Sequence, residues 1–276
     1  MPELPEVQSF ALALDAAYAG KVLAGISLHR PGLRYPFSGP TLAGVFAPGS
    51  LLTRVERVGK QLLLTTDRGK VRVSLGMSGS FFAASVDARR KHEHVTLHFS
   101  DGTSLGYEDA RRFGFWIVEG DGATAPMSPD AVDATDASAL LRVFQGDRVF
   151  RSPRSVKDLL MDQRAIAGIG NIYALEALFR VRLHPATSCS RIRPEGWRAL
   201  AEAIPPLLET AIAHGGSSIS TYRRLHGENG GFQALHLVYG REGEACLAPG
   251  CKGIVERIVQ GGRSSFLCRK CQRPPR

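Results

Sequence analysis

The spacing of apolar positions changes character twice along the 276-residue chain. Val7, Phe10, Ala11 and Leu14 fall on one helical face and predict a helix over residues 7–18, closed by Gly20. Short runs rich in apolar and β-branched residues follow at 45–47, 51–55, 61–65 and 70–74, with Asp67-Arg68-Gly69 as a hairpin turn. Residues 94–99 alternate, and Ser100-Asp101-Gly102-Thr103 turns the chain back. These runs predict an antiparallel β-sandwich with a leading helix. Residues 120–137, dominated by Gly, Ala, Thr, Pro, Ser and Asp, show little periodicity and mark a boundary. Helical spacing resumes near Ala139: a helix over 155–163 with Ser155 as its cap, another after Gly168-Ile169-Gly170, and a third over 195–213. Residues 219–232, with Tyr222, Arg223, Arg224 and three glycines, read as a mobile loop. Strands return at 254–260 and 265–267 around Gly261-Gly262-Arg263. The expected fold is α+β and multidomain. It comprises a β-sandwich domain (1–120), a linker (121–138), a helical domain (139–235) and a small terminal module (236–276).

Composition narrows the partners. A net charge of +9 favours an anionic partner, nucleic acid above all. No apolar run reaches the length of a membrane span, and the first residues lack the charged and apolar segments of a secretory signal. Five cysteines are present, and four of them, Cys246, Cys251, Cys268 and Cys271, lie in the last 31 residues. That clustering points to a metal site in a reducing cytosol more than to a disulfide scaffold. Cys246-x4-Cys251 and Cys268-x2-Cys271 form a pattern for one tetrahedral zinc, and four thiolates leave no place for water, so the zinc is structural. Cys189 reads as a passive thiol.

Candidate chemistry begins at Met1-Pro2-Glu3-Leu4-Pro5-Glu6-Val7. Removal of Met1 would leave Pro2 as a secondary amine, and α-amino groups titrate at about 7.7–8.0. Such an amine attacks an aldehyde-like sugar carbon to give an iminium, with Glu3 beside it to move protons. Equally, Pro2 and Glu3 suit the start of a helix. Lys60, after Gly59 and before a leucine-rich strand, is either a solvated edge lysine or a working cation. Met77 lies between glycines in Leu75-Gly76-Met77-Ser78-Gly79, as a core gap-filler or as a loop tip able to enter a base stack. Asp109-Ala110-Arg111-Arg112-Phe113-Gly114 couples guanidinium groups with an aromatic ring, which suits filling the hole left by an extruded base. The histidine pair in Lys91-His92-Glu93-His94 has no evident third metal ligand nearby. Gly168-Ile169-Gly170-Asn171 places glycines at a helix start, where phosphate binds readily, and Asn171 either caps the helix or donates to the anion. Arg263 at the terminal turn is a solvated arginine or a phosphate contact.

These motifs, in this order, resemble the formamidopyrimidine-DNA glycosylase family over almost the whole chain. Members typically begin Met-Pro-Glu-Leu-Pro-Glu-Val, place a Lys after Gly ahead of a leucine-rich strand, and carry a helix–two-turn–helix element like Gly168-Ile169-Gly170-Asn171-Ile172-Tyr173-Ala174. The resemblance implies a bifunctional DNA glycosylase/AP lyase that excises oxidised purines from damaged double-stranded DNA in base excision repair. It implies Pro2 as nucleophile, Glu3 for the sugar protons, and Lys60 and Arg263 for the proton and phosphate steps. It implies DNA contacts from His92, Lys157 and Asn171, a void-filling trio of Met77, Arg111 and Phe113, and a loop at 219–232 over the extruded purine. It implies one structural zinc in a finger hairpin, and a monomer in the bacterial cytoplasm at the nucleoid, with no membrane. Two departures stand out: Ala110 replaces the usual Pro before the arginine pair, and four residues rather than two separate the first cysteines. An endonuclease VIII-like enzyme for oxidised pyrimidines is the nearest alternative, and Leu4 and Phe113 favour the purine branch. A non-catalytic zinc-ribbon binder would have no need of Pro2, Glu3 and Lys60.

Overall fold

The first helix, α1 (Leu4–Tyr18), starts three residues before the apolar periodicity does. Pro5 fits its first turn, and Glu6 Oε2 accepts from the Glu3 N–H at 2.7 Å, so a donor that the helix leaves unsatisfied finds a partner. The computed structural model describes residues 1–85, 88–120, 132–217 and 230–273. The loop expected at 219–232 and the linker at 121–138 lie largely outside the described residues. The chain divides into two units, Met1–Pro126 with His214–Gly231, and Met127–Ala213 with Phe232–Arg276.

In the first unit α1 is followed by β1 (Leu23–Leu28), α2 (Gly39–Val45), β2 (Leu52–Val58), β3 (Gln61–Thr66), β4 (Gly69–Ser74), β5 (Gly79–Ala83), β6 (Glu93–Phe99), β7 (Ser104–Asp109) and β8 (Phe115–Val118). Two four-stranded antiparallel sheets form, in the orders β1-β6-β7-β5 and β2-β3-β4-β8. Residues from both sheets and the apolar face of α1 share one core, in which Val7, Phe10, Leu14, Leu62, Leu64, Val71, Val95 and Leu97 are buried. Phe81, Tyr107 and Trp116 meet edge-on or tilted at its centre. The strand expected at 45–47 does not form: Val45 ends α2 and Phe46 caps it. Leu42 and Phe46, four residues apart and both buried, show that this apolar run follows a helical repeat.

The second unit carries α3 (Ala137–Phe144), α4 (Asp147–Phe150), α5 (Val156–Leu160), α6 (Asn171–Arg180) and α7 (Pro194–Ala213), with a two-residue parallel pair of β9 (Val132–Asp133) and β10 (Ile166–Ala167). Phe144 of α3 meets the buried Trp197 of α7 in a tilted pair, with 4.8 Å between ring centres. Ser155 caps α5 by accepting from Asp158 N, as expected, but the helix ends at Leu160 rather than 163. The chain turns there, with Ala165 N and Ile166 N both donating to Asp162 O. The strands β11 (Glu256–Gln260) and β12 (Arg263–Leu267) pair antiparallel about Gly261-Gly262, both at positive φ. Leu175 and Phe179 of α6 pack with Val238, Val255, Cys246 and Cys268. The cysteine module therefore shares a core with a helix.

Candidate active site, phosphate-binding surface and metal centre

The N-terminus of the first unit gathers charge around one amine. Pro2 and Glu3 are buried, and Glu6 is 2% exposed. Glu6 bridges two backbone donors: Oε2 takes the Glu3 N–H, and Oε1 takes the Ser217 N–H at 2.7 Å, 211 residues away in sequence. The Met1 amino group is held below its ordinary pKa mainly by burial, with Lys60 and Arg111 pushing the same way and Glu3 and Glu6 opposing. Those four side chains thus act on one nitrogen. Lys60 stands in the turn between β2 and β3, after Gly59 at φ 60°. Arg57 supports that turn, donating through Nη1 to Gly59 O at 3.2 Å and through Nε to Gln8 Oε1 at 2.9 Å.

Two loops of the same unit present side chains to solvent. Met77 is 38% exposed between β4 and β5, and Phe113 is 46% exposed between β7 and β8. Arg111 lies over the Phe113 ring at 4.8 Å, so guanidinium and ring form one projecting block. A Cβ on Gly76 would stand 2.5 Å from Gly114 N and from Phe113 C, so the loops approach at backbone distance. His92 lies half-buried in the turn before β6. His94 is buried, donates or accepts through Nε2 at Asp109 O (2.8 Å), and is kept below the usual histidine pKa chiefly by burial.

The second unit brings Lys157, Asn171 and Arg263 to α5, α6 and the finger hairpin. A cavity of about 440 Å³ is lined by Arg154, Lys157, Arg164 and Arg263 beside Asp158 and Asp162. Lys157 is buried, donates to Ser265 Oγ at 2.6 Å, and is pushed down to about 8 by burial, with Arg263 adding to the shift and Asp158 opposing it. Asn171 does not cap α6, whose N-cap is Gly170. Its Nδ2 donates to Ser264 O at 2.9 Å, and its buried Oδ1 has no partner among the described residues. The turn between α5 and α6 is braced by Gln163: Nε2 donates to Ile169 O and Met161 O, and Oε1 accepts from Gly168 N. Arg263 opens β12 at the hairpin tip and is exposed.

The four cysteine sulfurs lie within 4.8 Å of one another, with Cys246–Cys271 at 3.6 Å and Cys251–Cys268 at 3.8 Å. Thiolates held tetrahedrally at about 2.3 Å from a zinc ion would stand about 3.8 Å apart, so the donor set fits a metal ion of that size. Ala248 N and Gly253 N point at Cys246 Sγ and Cys251 Sγ, which orients the ligands. The four-residue spacing of the first pair therefore still closes a four-sulfur cage.

Two family models match this sequence: the formamidopyrimidine-DNA glycosylase N-terminal domain over residues 1–116 and the formamidopyrimidine-DNA glycosylase H2TH domain over residues 131–223. The chain belongs to the formamidopyrimidine-DNA glycosylase family. As a member it is a DNA-repair glycosylase. The formamidopyrimidine-DNA glycosylase of Paracoccus denitrificans is 40% identical over 99% of this chain and 100% of its own. That of Gluconobacter oxydans is 39% identical with the same coverage. A solved complex of the Lactococcus lactis enzyme with abasic-site DNA superposes with a TM-score of 0.83 at 29% identity, covering 99% of this chain and 100% of that one. A MutM complex with carbocyclic 8-oxo-G DNA gives 0.83 at 28% over the same shares. The α+β fold read from the sequence is that of these glycosylases. Among the described residues no helix is long and apolar enough to cross a membrane.

Glu6, Gln163 and Asp109 were not assigned a role from the sequence. Glu6 and Asp109 accept hydrogen bonds from residues that the fold brings near, Ser217 and Ser78 among them, whereas Gln163 both donates and accepts within its own turn. The one sequence signal for Glu6 was its place three residues after Glu3, the spacing of a capping box.

Proposed function

We propose that this glycosylase is bifunctional: it excises oxidised purines such as 8-oxoguanine and formamidopyrimidines from duplex DNA and then cleaves the strand as an AP lyase. The observation that carries the reading is the chain-terminal amine next to the buried Pro2 and Glu3, on which Glu3, Glu6, Lys60 and Arg111 all act. Loss of Met1 makes the Pro2 nitrogen that amine. Burial and the two cations favour the neutral form of an amine placed there, with Glu3 and Glu6 opposing, and a neutral secondary amine is a nucleophile. Its lone pair bonds to C1′ of the lesion sugar while the C1′–base bond breaks, and the base leaves with that electron pair and takes up a proton. The amine proton passes to O4′ as the C1′–O4′ bond breaks and the nitrogen lone pair closes the iminium, which acidifies C2′–H. Glu3 accepts that proton, and the C3′–O bond breaks in β-elimination. Proton loss from C4′ then expels the 5′ phosphate group in δ-elimination, and water releases Pro2 from the sugar fragment. Lys60 serves the proton steps, and Arg263 and His92 hold backbone phosphates. Lys157 and Asn171 add sequence-independent phosphate contacts. Met77, Arg111 and Phe113 fill the space of the extruded nucleotide.

Cys246, Cys251, Cys268 and Cys271 hold one zinc ion, which stiffens the finger hairpin that carries Arg263. The protein acts as a monomer in the cytoplasm. The test is borohydride trapping: duplex containing 8-oxoguanine opposite cytosine is incubated with the protein, reduced, and the adduct mapped by mass spectrometry. An adduct on Pro2 is expected. Trapping only with an oxidised pyrimidine would move the substrate to the endonuclease VIII-like class, and no adduct with any lesion or abasic site would remove the lyase.

A further inference from the structure

Asp109 is fully buried at the end of β7, and each of its polar atoms is hydrogen-bonded, to the Met77 loop, the 110–114 loop or the start of β6. Its Oδ1 accepts from Ser78 Oγ at 2.5 Å, in the loop that carries Met77, and from Arg111 N at 3.2 Å. Its Oδ2 accepts from Gly114 N at 2.8 Å, just past Phe113. Its own N–H donates to His92 O at 3.0 Å, and its carbonyl meets His94 Nε2 at 2.8 Å. Ser78 Oγ also accepts from Arg111 N at 3.0 Å, which closes a small ring of bonds between the two loops.

We infer that Asp109 is a positioning residue that locks the Met77 loop, the Arg111–Phe113 loop and the His92 turn into one rigid wedge. The inference rests on the glycosylase/lyase reading of this site and says how its void-filling part is built. A carboxylate is suited to the place because it only accepts, and all three groups facing its oxygens are donors. Replacing one oxygen by an amide NH2 sets a donor against a donor, either at Gly114 N–H or at the Ser78–Arg111 pair. Met77 and Phe113 lie outside the apolar core of the sandwich, so the wedge would then lose its shape before the sandwich loses its core. Asp109 touches no reacting atom in this scheme. Its effect should appear where a base must be pushed from a stack and be absent where none is stacked.

The experiment compares Asp109→Asn with wild-type protein in borohydride trapping on two substrates: duplex with 8-oxoguanine opposite cytosine, and single-stranded DNA with a preformed abasic site. Loss of hydrogen bonds to a charged acceptor corresponds to about tenfold or more, so that loss is expected on the duplex, with the single strand within about twofold. Ser78→Ala, which removes one half-exposed hydroxyl, should show the same split at smaller size, and it decides the matter if Asp109→Asn does not fold. Fluorescence of 2-aminopurine opposite the lesion should report weaker unstacking in both variants. Equal losses on the two substrates, or none on the duplex, would overturn the inference. Wild-type protein that traps neither substrate would instead overturn the reading on which it rests.

Discussion

At the residue scale the side chains of the proposed chemistry differ in how they are held in place. Pro2, Lys60, Met77 and Arg263 announce themselves by unusual neighbours, such as prolines beside acids or glycines around a long side chain. Glu6 and Asp109 are ordinary acids in sequence. Their importance lies in backbone N–H groups delivered by the fold, from Ser217 in one case and Gly114 in the other. Lys157 is intermediate: its place in α5 was expected, its burial was not. That burial makes a prediction with a definite sign. The amino group is protonated below about 8 and neutral above it. Phosphate favours the protonated form, so duplex affinity should fall as pH rises through about 8 and onward to the higher pKa of the bound state. Each phosphate contact contributes about −0.9 to the slope of log K against log salt, so the slope should be shallower by roughly one contact at about pH 9.5 than at about pH 7. Fluorescence anisotropy with a lesion-free duplex measures it. Lys157→Gln should remove the pH difference, and a variant that keeps it would show that another group titrates.

At the element scale, long apolar or alternating strands were legible because both faces of a sheet strand repeat every two residues. The four residues of Leu62-Leu63-Leu64-Thr65, nearly all buried, could only sit in a sheet or a core helix, and the Asp67-Arg68-Gly69 turn settled which. Short apolar runs were ambiguous. Val45-Phe46 reads as strand or helix by composition, and Leu42 four residues before Phe46 decides for α2. Loop geometry was the least legible element, since glycines signal a turn without saying what the turn approaches. Gly76 shows the cost. It has φ 56°, and an added Cβ would press on Gly114 N and Phe113 C, which are backbone atoms that cannot swing aside. Gly76→Ala should therefore lower stability by about 1–3 kcal/mol, from left-handed strain plus displacement of the facing loop. Urea unfolding measures the loss. A change of less than about 0.5 kcal/mol would mean that the two loops separate freely.

At the scale of the whole molecule, the charge of +9 points to nucleic acid, which agrees with membership of a DNA-glycosylase family, and the cysteine spacing points to four sulfurs that the fold does place to hold a metal ion. They could not say how the cysteine module is tied to the rest. The structure answers that: Cys246 and Cys268 pack with Leu175 and Phe179 on α6, the helix whose first residue, Asn171, donates to Ser264 in β12. Metal loss should thus loosen the hairpin and, through it, the setting of Arg263, Lys157 and Asn171 together. The first unit has its own core, closed by α1 and two sheets, and owes nothing to the metal. The two tryptophans separate these effects, because Trp116 lies in the first unit and Trp197 in the second, both buried. In a Trp197→Phe variant, chelation should leave Trp116 emission unchanged while duplex affinity falls by at least about tenfold, the scale of losing several phosphate contacts. Added zinc should restore the affinity. A shift of Trp116 emission in step with the affinity loss would show that the metal supports the sandwich as well. Retained affinity after complete metal removal would show that the hairpin holds its shape on packing against α6 alone.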